Sequence, residues 1–222
     1  MNIKAAIFDM DGTLIDSLMF WDFYWSNLGK KYFNDASFKP HPEDAKKVRT
    51  LTIEGSTELI CNSYSTGGSY EELLSFGRNC VVNFYLNDIK LKDGVIEFLD
   101  YCLDNDIKMC IASATELAHL EIAIERFKIG KYFSKVISCG DLGKGKEEPD
   151  VFLAALEFLG TEIDETWVFE DSLVAIETAA KIGLPTVAVY DKLGFGQERM
   201  KEIATEYIGP GETLKKLIRD YN

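Results

Sequence analysis

Five short apolar runs recur along the chain: Lys4–Phe8 (KAAIF), Ile107–Ala112 (IKMCIA), Lys135–Cys139 (KVISC), Thr166–Phe169 (TWVF) and Pro185–Tyr190 (PTVAVY). They read as strands buried on both faces, as in a parallel sheet. Between them lie amphipathic segments, Val95–Leu103, Leu117–Phe127, Val151–Leu159 and Leu173–Ile182, with apolar residues at three- and four-residue spacing. The alternation predicts an α/β fold, an open and doubly wound parallel sheet.

One stretch breaks the rhythm. From about Ser17 to Asn87 the patterns are helical only: Leu18–Phe33, Glu43–Arg49, Gly55–Asn62 and Tyr70–Leu86. Ser69 precedes the last of these, and Glu72 follows three residues later, the spacing of a capping box. Gly67-Gly68 and Pro40-His41-Pro42 mark turns. The expected organisation is therefore a core of residues 1–15 and 90–222, with an all-α cap domain, residues 16–89, inserted after the first strand. Entering close to Asp9 and leaving near Lys92–Gly94, this module is expected to act as a lid hinged near Leu14–Ser17 and Asn87–Gly94.

Composition narrows the classes. At 222 residues the chain is long enough to bury a core without structural staples. A formal charge of −13 argues against nucleic acid or an anionic membrane as partner. The five cysteines form no CxxC pair and suit a reducing cytoplasm, and the two histidines, His41 and His119, lack ligand-spaced neighbours for zinc. The apolar run before Asp9 is too short for a signal peptide or a membrane span. A cytoplasmic protein is expected, with a monomer as the default.

Open α/β sheets place ligands at the carboxyl ends of their strands. Those ends carry Asp9-Met10-Asp11-Gly12-Thr13-Leu14, then Ser113, then Glu170-Asp171-Ser172, with Lys146 in the loop GKGKEEPD ahead of a helix expected near Pro149. Four carboxylates converging there would repel one another without a cation. Magnesium suits them, because it takes oxygen ligands and keeps waters beside one or two carboxylates and a phosphate. A carboxylate at Asp9 could then attack a phosphoryl group, with Asp11, two residues on, placed as general acid and base. Ser113, the backbone N–H groups beside it such as that of Ala114, and Lys146 could hold the phosphate oxygens.

Each residue alone has a plainer explanation. A DxD pair is often a turn or a cap, Ser113 with Thr115 could be an N-cap, Lys146 could belong to a solvated charge run, and Glu170-Asp171 could only complement a helix dipole. The case rests on their joint occurrence at strand ends. Gly140-Asp141-Leu142-Gly143-Lys144-Gly145-Lys146 matches a nucleotide-binding P-loop, but Glu147 stands where that loop needs Ser or Thr. A phospho-receiver domain also combines such groups, yet it has no role for Asp11 or for an inserted lid.

Taken together, FDMDGTLIDS, Ser113, Lys146 and FEDS at Phe169–Ser172 resemble the four motifs of the haloacid dehalogenase-like superfamily, over nearly the whole chain. The inserted helices resemble the small helical cap of its phosphatase and beta-phosphoglucomutase-like subgroup. The resemblance implies a Rossmann-like core and a magnesium-dependent hydrolase of small phosphorylated metabolites. It makes Asp9 nucleophile and metal ligand, and Asp11 an acid/base whose carbonyl meets the metal. It gives Asp171 a direct and Glu170 a water-mediated place at the metal, and Ser113 and Lys146 the phosphate.

Departures from the pattern matter too. Glu147-Glu148-Pro149-Asp150 replaces the Pro-Ala-Pro-Asp that often follows the lysine, and Ala175 stands where relatives often have Gly. Asp11 excludes the dehalogenase branch. The closest rival is a sugar-phosphate mutase, whose members usually carry His where Trp21 stands and Arg where Ile53 stands; Arg49 could compensate. Trp21, Arg49, Thr52 and Glu54 are the candidate cap contacts, although Trp21, Tyr24 and Trp25 also read as a helical core stripe. A phosphatase acting on phosphosugars is the expectation.

Overall fold

The computed structural model describes residues 3–17, 19–48 and 51–218. The chain divides into two compact units, one running to Asp16 and resuming at Lys90, the other Ser17–Ile89.

In the first unit β1 (Ala5–Phe8) lies at the centre of a six-stranded sheet with β4 (Lys108–Ser113), β5 (Lys135–Ser138), β6 (Thr166–Glu170), β7 (Thr186–Val189) and β8 (Glu206–Ile208), in the order β5-β4-β1-β6-β7-β8. Every pairing in this sheet is parallel. The chain runs outward from β1 through β4 to β5, then crosses back and runs outward through β6, β7 and β8. The reversal falls beside β1, where strand ends diverge and leave a crevice.

Period-two alternation sends successive β1 residues to opposite faces. Ile7 joins one core layer with Val151, Phe152 and Ala155 of α8 (Asp150–Leu159) and with Ala175 and Ala179 of α9 (Leu173–Lys181). On the other face Phe8 stacks on Phe169 with centroids 4.5 Å apart and meets Phe98 of α5 (Val95–Asp104) edge-on at 6.2 Å. Burial of all four β1 side chains explains why the strand reads as a continuous apolar run. Ala175 is fully buried, so the side chain present there is absorbed in the core.

The boundaries expected from sequence shift at several elements. The strand predicted to run through Cys139 stops at Ser138, whose hydroxyl accepts the Gly140 N–H and starts α7 (Cys139–Leu142). Short elements were not expected at β8, at α10 (Gln197–Ile203), or in an antiparallel ribbon of β2 (Ile15–Asp16) with β3 (Lys90–Leu91). That ribbon pairs the chain leaving the first unit with the chain returning to it.

The second unit is all-helical among its described residues: α1 (Phe20–Leu28), α2 (Pro42–Lys47), α3 (Ile53–Ser63) and α4 (Tyr70–Asn87). The helix predicted over Leu18–Phe33 ends earlier, passing into a π turn over Gly29–Phe33 that Asn34 closes with φ of 52°. Gly29 allows this turn to pack closely, since a Cβ there would lie 2.2 Å from the Asp35 carbonyl oxygen. Helix α3 starts two residues before its predicted position because the Thr52 hydroxyl accepts the Gly55 N–H. The Ser69–Glu72 capping box is formed in both directions at α4. Tyr24, Trp25, Leu28, Val48, Ile60, Leu73 and Cys80 form the core of this unit. No helix among the described residues is long and apolar enough to cross a membrane.

Candidate active site

The crevice beside β1 is furnished by residues that end strands. Asp9 follows the last residue of β1, and its N–H donates to the Phe169 carbonyl at 2.9 Å, so its position is set by the β1–β6 register. Glu170 ends β6 and Ser113 ends β4. Asp171 follows Glu170 and opens the turn into α9. The loop between α7 and α8 supplies Lys146, which lies 137 residues from Asp9 in sequence yet donates to Asp9 Oδ1 at 2.5 Å. The same ammonium donates to Glu170 Oε1. Its side chain is only 10% exposed, which settles it as a buried cation rather than part of a solvated charge run. Lys144 is the surface member of that run, paired with Asp150 at 2.7 Å.

Glu170 Oε2 also accepts the N–H groups of Asp171 and Ser172, at 3.1 and 3.2 Å, which fixes the turn after β6. One oxygen each from Asp9, Glu170 and Asp171 lies within 4.8 Å of the others. The Lys146 ammonium faces this set, and the excess of carboxylates shows in proton affinity. Burial, with Glu170 and Asp11 nearby, raises Asp9 from the usual carboxylate range to about 7 against the opposing pull of Lys146. Burial, together with Glu170 and Asp9, raises Asp171 in the same direction. Lys146 feels the opposite balance: burial lowers its proton affinity, but Asp9 and Glu170 outweigh that and hold it protonated. Three hard oxygen donors with excess negative charge fit a divalent cation that prefers oxygen, such as magnesium.

Asp11 is placed differently. Its Oδ2 accepts the Thr115 hydroxyl at 2.7 Å, and its side chain is not one of the three converging carboxylates. Ser113 is buried at the end of β4, and its hydroxyl accepts the Thr115 N–H at 3.3 Å. It is not the cap of α6 (Leu117–Phe127); that position belongs to Glu116, which makes no side-chain cap. Ala114, next along, is exposed.

Of the cap candidates, Trp21 packs in the aromatic cluster of the second unit, Thr52 caps α3, and Glu54 pairs with Arg78 at 2.8 Å. Arg49 lies outside the described residues. Two features of the crevice were missed by sequence reading. Thr115 meets Asp11 across 104 residues of sequence. Lys92, one residue past β3, binds Asp191 Oδ2 at 3.2 Å and the Tyr190 carbonyl at 3.3 Å, and its charge acts on Asp171. A Thr two residues after a strand-end Ser was the available signal for the first; nothing local marks the second.

The chain resembles known proteins over most of its length. The model of the haloacid dehalogenase-like hydrolase family matches residues 3–183. A phosphorylated carbohydrates phosphatase of Thermotoga maritima is 24% identical over 217 residues, covering 97% of this chain and 98% of that protein. Protein CbbY of Rhodobacter capsulatus is 27% identical over 205 residues, covering 84% of this chain and 85% of that one. Among solved structures, CbbY of Rhodobacter sphaeroides in a variant complexed with xylulose-(1,5)bisphosphate superposes with a TM-score of 0.72 at 17% identity, covering 92% of this chain and 93% of that one. With its motifs spread along the matched segment and its parallel sheet built around Asp9, the chain belongs to the haloacid dehalogenase-like hydrolases.

Proposed function

We propose that this protein is a magnesium-dependent phosphatase that hydrolyses small phosphate monoesters, phosphosugars first among them, through an aspartyl-phosphate on Asp9. The observation that carries the proposal is the convergence of Asp9, Glu170 and Asp171 around Lys146 at the switch point of the sheet. Asp9 and Asp171 with Glu170 would hold the cation, which when bound supplies the positive charge that lets a carboxylate approach a phosphoryl group. The Asp9 carboxylate attacks phosphorus and the ester oxygen leaves. Lys146 neutralises charge on the phosphoryl oxygens, and Ser113 with the N–H of Ala114 binds them. Asp11 donates a proton to the leaving oxygen, then takes one from the water that cleaves the aspartyl-phosphate. The helical unit is proposed as the cap that selects substrate.

A sugar substrate is supported by the name of the Thermotoga relative and by the sugar bisphosphate bound to the CbbY variant. A cytoplasmic setting and a monomeric state belong to the same proposal; the five cysteines are all free, and four of them are buried. The test is phosphate release from a panel of phosphate monoesters by purified protein, with and without magnesium, for wild type and Asp9→Asn. Magnesium-dependent release that the substitution abolishes is expected. Retention of more than about a hundredth of wild-type activity would remove Asp9 from the nucleophile's role, since loss of a covalent nucleophile is expected to abolish this route.

A further inference from the structure

We propose that Thr115 is a positioning residue for Asp11, deciding which carboxylate oxygen carries the proton given to the leaving group; the inference rests on the phosphatase reading above. Asp11 sits in the loop after β1 and Thr115 in the loop after β4, and the adjacent strand ends bring the Thr115 hydroxyl within 2.7 Å of Asp11 Oδ2. Thr115 is itself fixed by its backbone. Its N–H donates to Ser113 Oγ at 3.3 Å, and its carbonyl accepts the Ser138 hydroxyl at 2.8 Å. Ser138 is anchored in turn at the end of β5, where its Oγ accepts the Gly140 N–H at 3.2 Å. Three neighbouring strand ends therefore meet at Thr115.

A threonine hydroxyl has a single proton to give. Donating it to Oδ2 favours that oxygen as the carbonyl-like acceptor and Oδ1 as the seat of an acidic proton on Asp11. The hydrogen bond also restrains the carboxylate's rotation, so the reactive oxygen is oriented before substrate binds. Ser113 and Thr115 divide the work of the strand end. Ser113 stays buried beside the phosphoryl site, and Thr115 reaches across to the acid/base.

The experiment compares wild type with Thr115→Val, Thr115→Ala and Thr115→Ser on alkyl phosphates, whose leaving oxygen needs a proton, and on p-nitrophenyl phosphate, whose leaving group does not. Loss of an oriented general acid should lower kcat on alkyl phosphates about 10- to 100-fold in the Val and Ala variants, part of the 100- to 10,000-fold such catalysis contributes. The loss in the first turnover of p-nitrophenyl phosphate, read as the burst of nitrophenolate before the aspartyl-phosphate is cleaved, should be small, KM should change little, and Thr115→Ser should restore the alkyl rate. Thermal melts confirm folding, and the Ala variant, being smaller, stands in if the Val variant is unstable. Equal losses on both substrate classes, or none, would overturn the positioning role while leaving the phosphatase reading intact if wild type is active. Wild type releasing phosphate from no ester would overturn both.

Discussion

A Cβ atom built on Gly12 would stand 2.1 Å from Oδ2 of Asp171, so the Asp171 carboxylate occupies the space that any other residue at position 12 would fill. Gly12 also holds φ at +77°, a conformation that costs an L-residue about 1–2 kcal/mol. The sharp turn after β1 and the placement of Asp171 thus depend on the same missing side chain. Gly12→Ala is expected to displace Asp171 and weaken magnesium binding about 10- to 100-fold, the scale of losing a partner that orients a metal ligand. Titration of activity against magnesium measures it. An unchanged magnesium requirement would show that Asp171 has room to move without leaving the cation.

Lys146 is the ammonium that Asp9 and Glu170 share. Replacing it with Met leaves buried carboxylates without their partner, a loss worth about 3–5 kcal/mol for a buried pair. Asp9 can relieve part of this by taking a proton, so the destabilisation should be smaller at pH 6 than at pH 8. Magnesium should then raise the melting temperature of Lys146→Met by more than it raises that of wild type, because the cation replaces the missing charge. Thermal melts at the two pH values, with chelator and with magnesium, provide the check; equal magnesium shifts in the two proteins would contradict the shared-cation picture.

The raised proton affinity of Asp9, to about 7, fixes the sign of two pH effects. In the metal-free protein the folded state holds more protons than the unfolded chain between roughly pH 4 and 7, so the contribution of this group to stability falls as pH rises through that window. Asp171 is shifted in the same direction and acts likewise. Magnesium must displace these protons, so its affinity should fall as pH drops below about 7, approaching tenfold per unit for each proton released. Calorimetric titrations in buffers of different ionisation enthalpy count those protons. Binding that releases none between pH 6 and 7 would show that Asp9 is already ionised.

The sheet was legible because its central strands are buried on both faces, which turns KAAIF, IKMCIA and TWVF into unbroken apolar runs. Asp9, Ser113 and Glu170 were legible for a related reason: an open parallel sheet concentrates chemistry at strand ends, so the residue closing each run is the one to inspect. Strand β8 escaped because Glu206–Ile208 is a three-residue edge strand with little to bury. The β2–β3 ribbon has only two residues per strand and draws its pairing from a contact across 76 positions, Ile15 with Leu91. Helix α10 carries few apolar residues, and of these only Met200 is fully buried, so no periodic stripe marks it. The bonds from Thr115 to Asp11 and from Lys92 to Asp191 exist only once separate loops meet. A linear pattern holds no trace of them.

On the proposed function, a phosphoryl group on Asp9 has two acceptors open to it, water and a second hydroxyl of a sugar substrate. A mutase must hold a bisphosphorylated intermediate while it turns over, which requires cations to grip the distal phosphate and protection of the aspartyl-phosphate from water. At the two positions where the mutase-like pattern places His and Arg, this chain has Trp21 and Ile53. Both are engaged in packing within the helical unit. Trp21 meets Phe20 and Tyr24 with ring centroids 5.1 and 5.3 Å away, and Ile53 faces Gly77, where its Cγ2 lies 3.0 Å from the site of a Cβ. Beside Ile53, Thr52 is occupied as the cap of α3 and Glu54 as the partner of Arg78. Neither position presents a charge to a second phosphate, so water should win the competition for the phosphoaspartate, with Asp11 as its general base. Incubating the protein with glucose 1-phosphate and related sugar phosphates, with and without a bisphosphate primer, and following inorganic phosphate and isomerised sugar phosphate together, decides between them. Free phosphate should appear faster than isomer with or without primer. Isomer forming first would make this chain a mutase and assign the missing cation to Arg49.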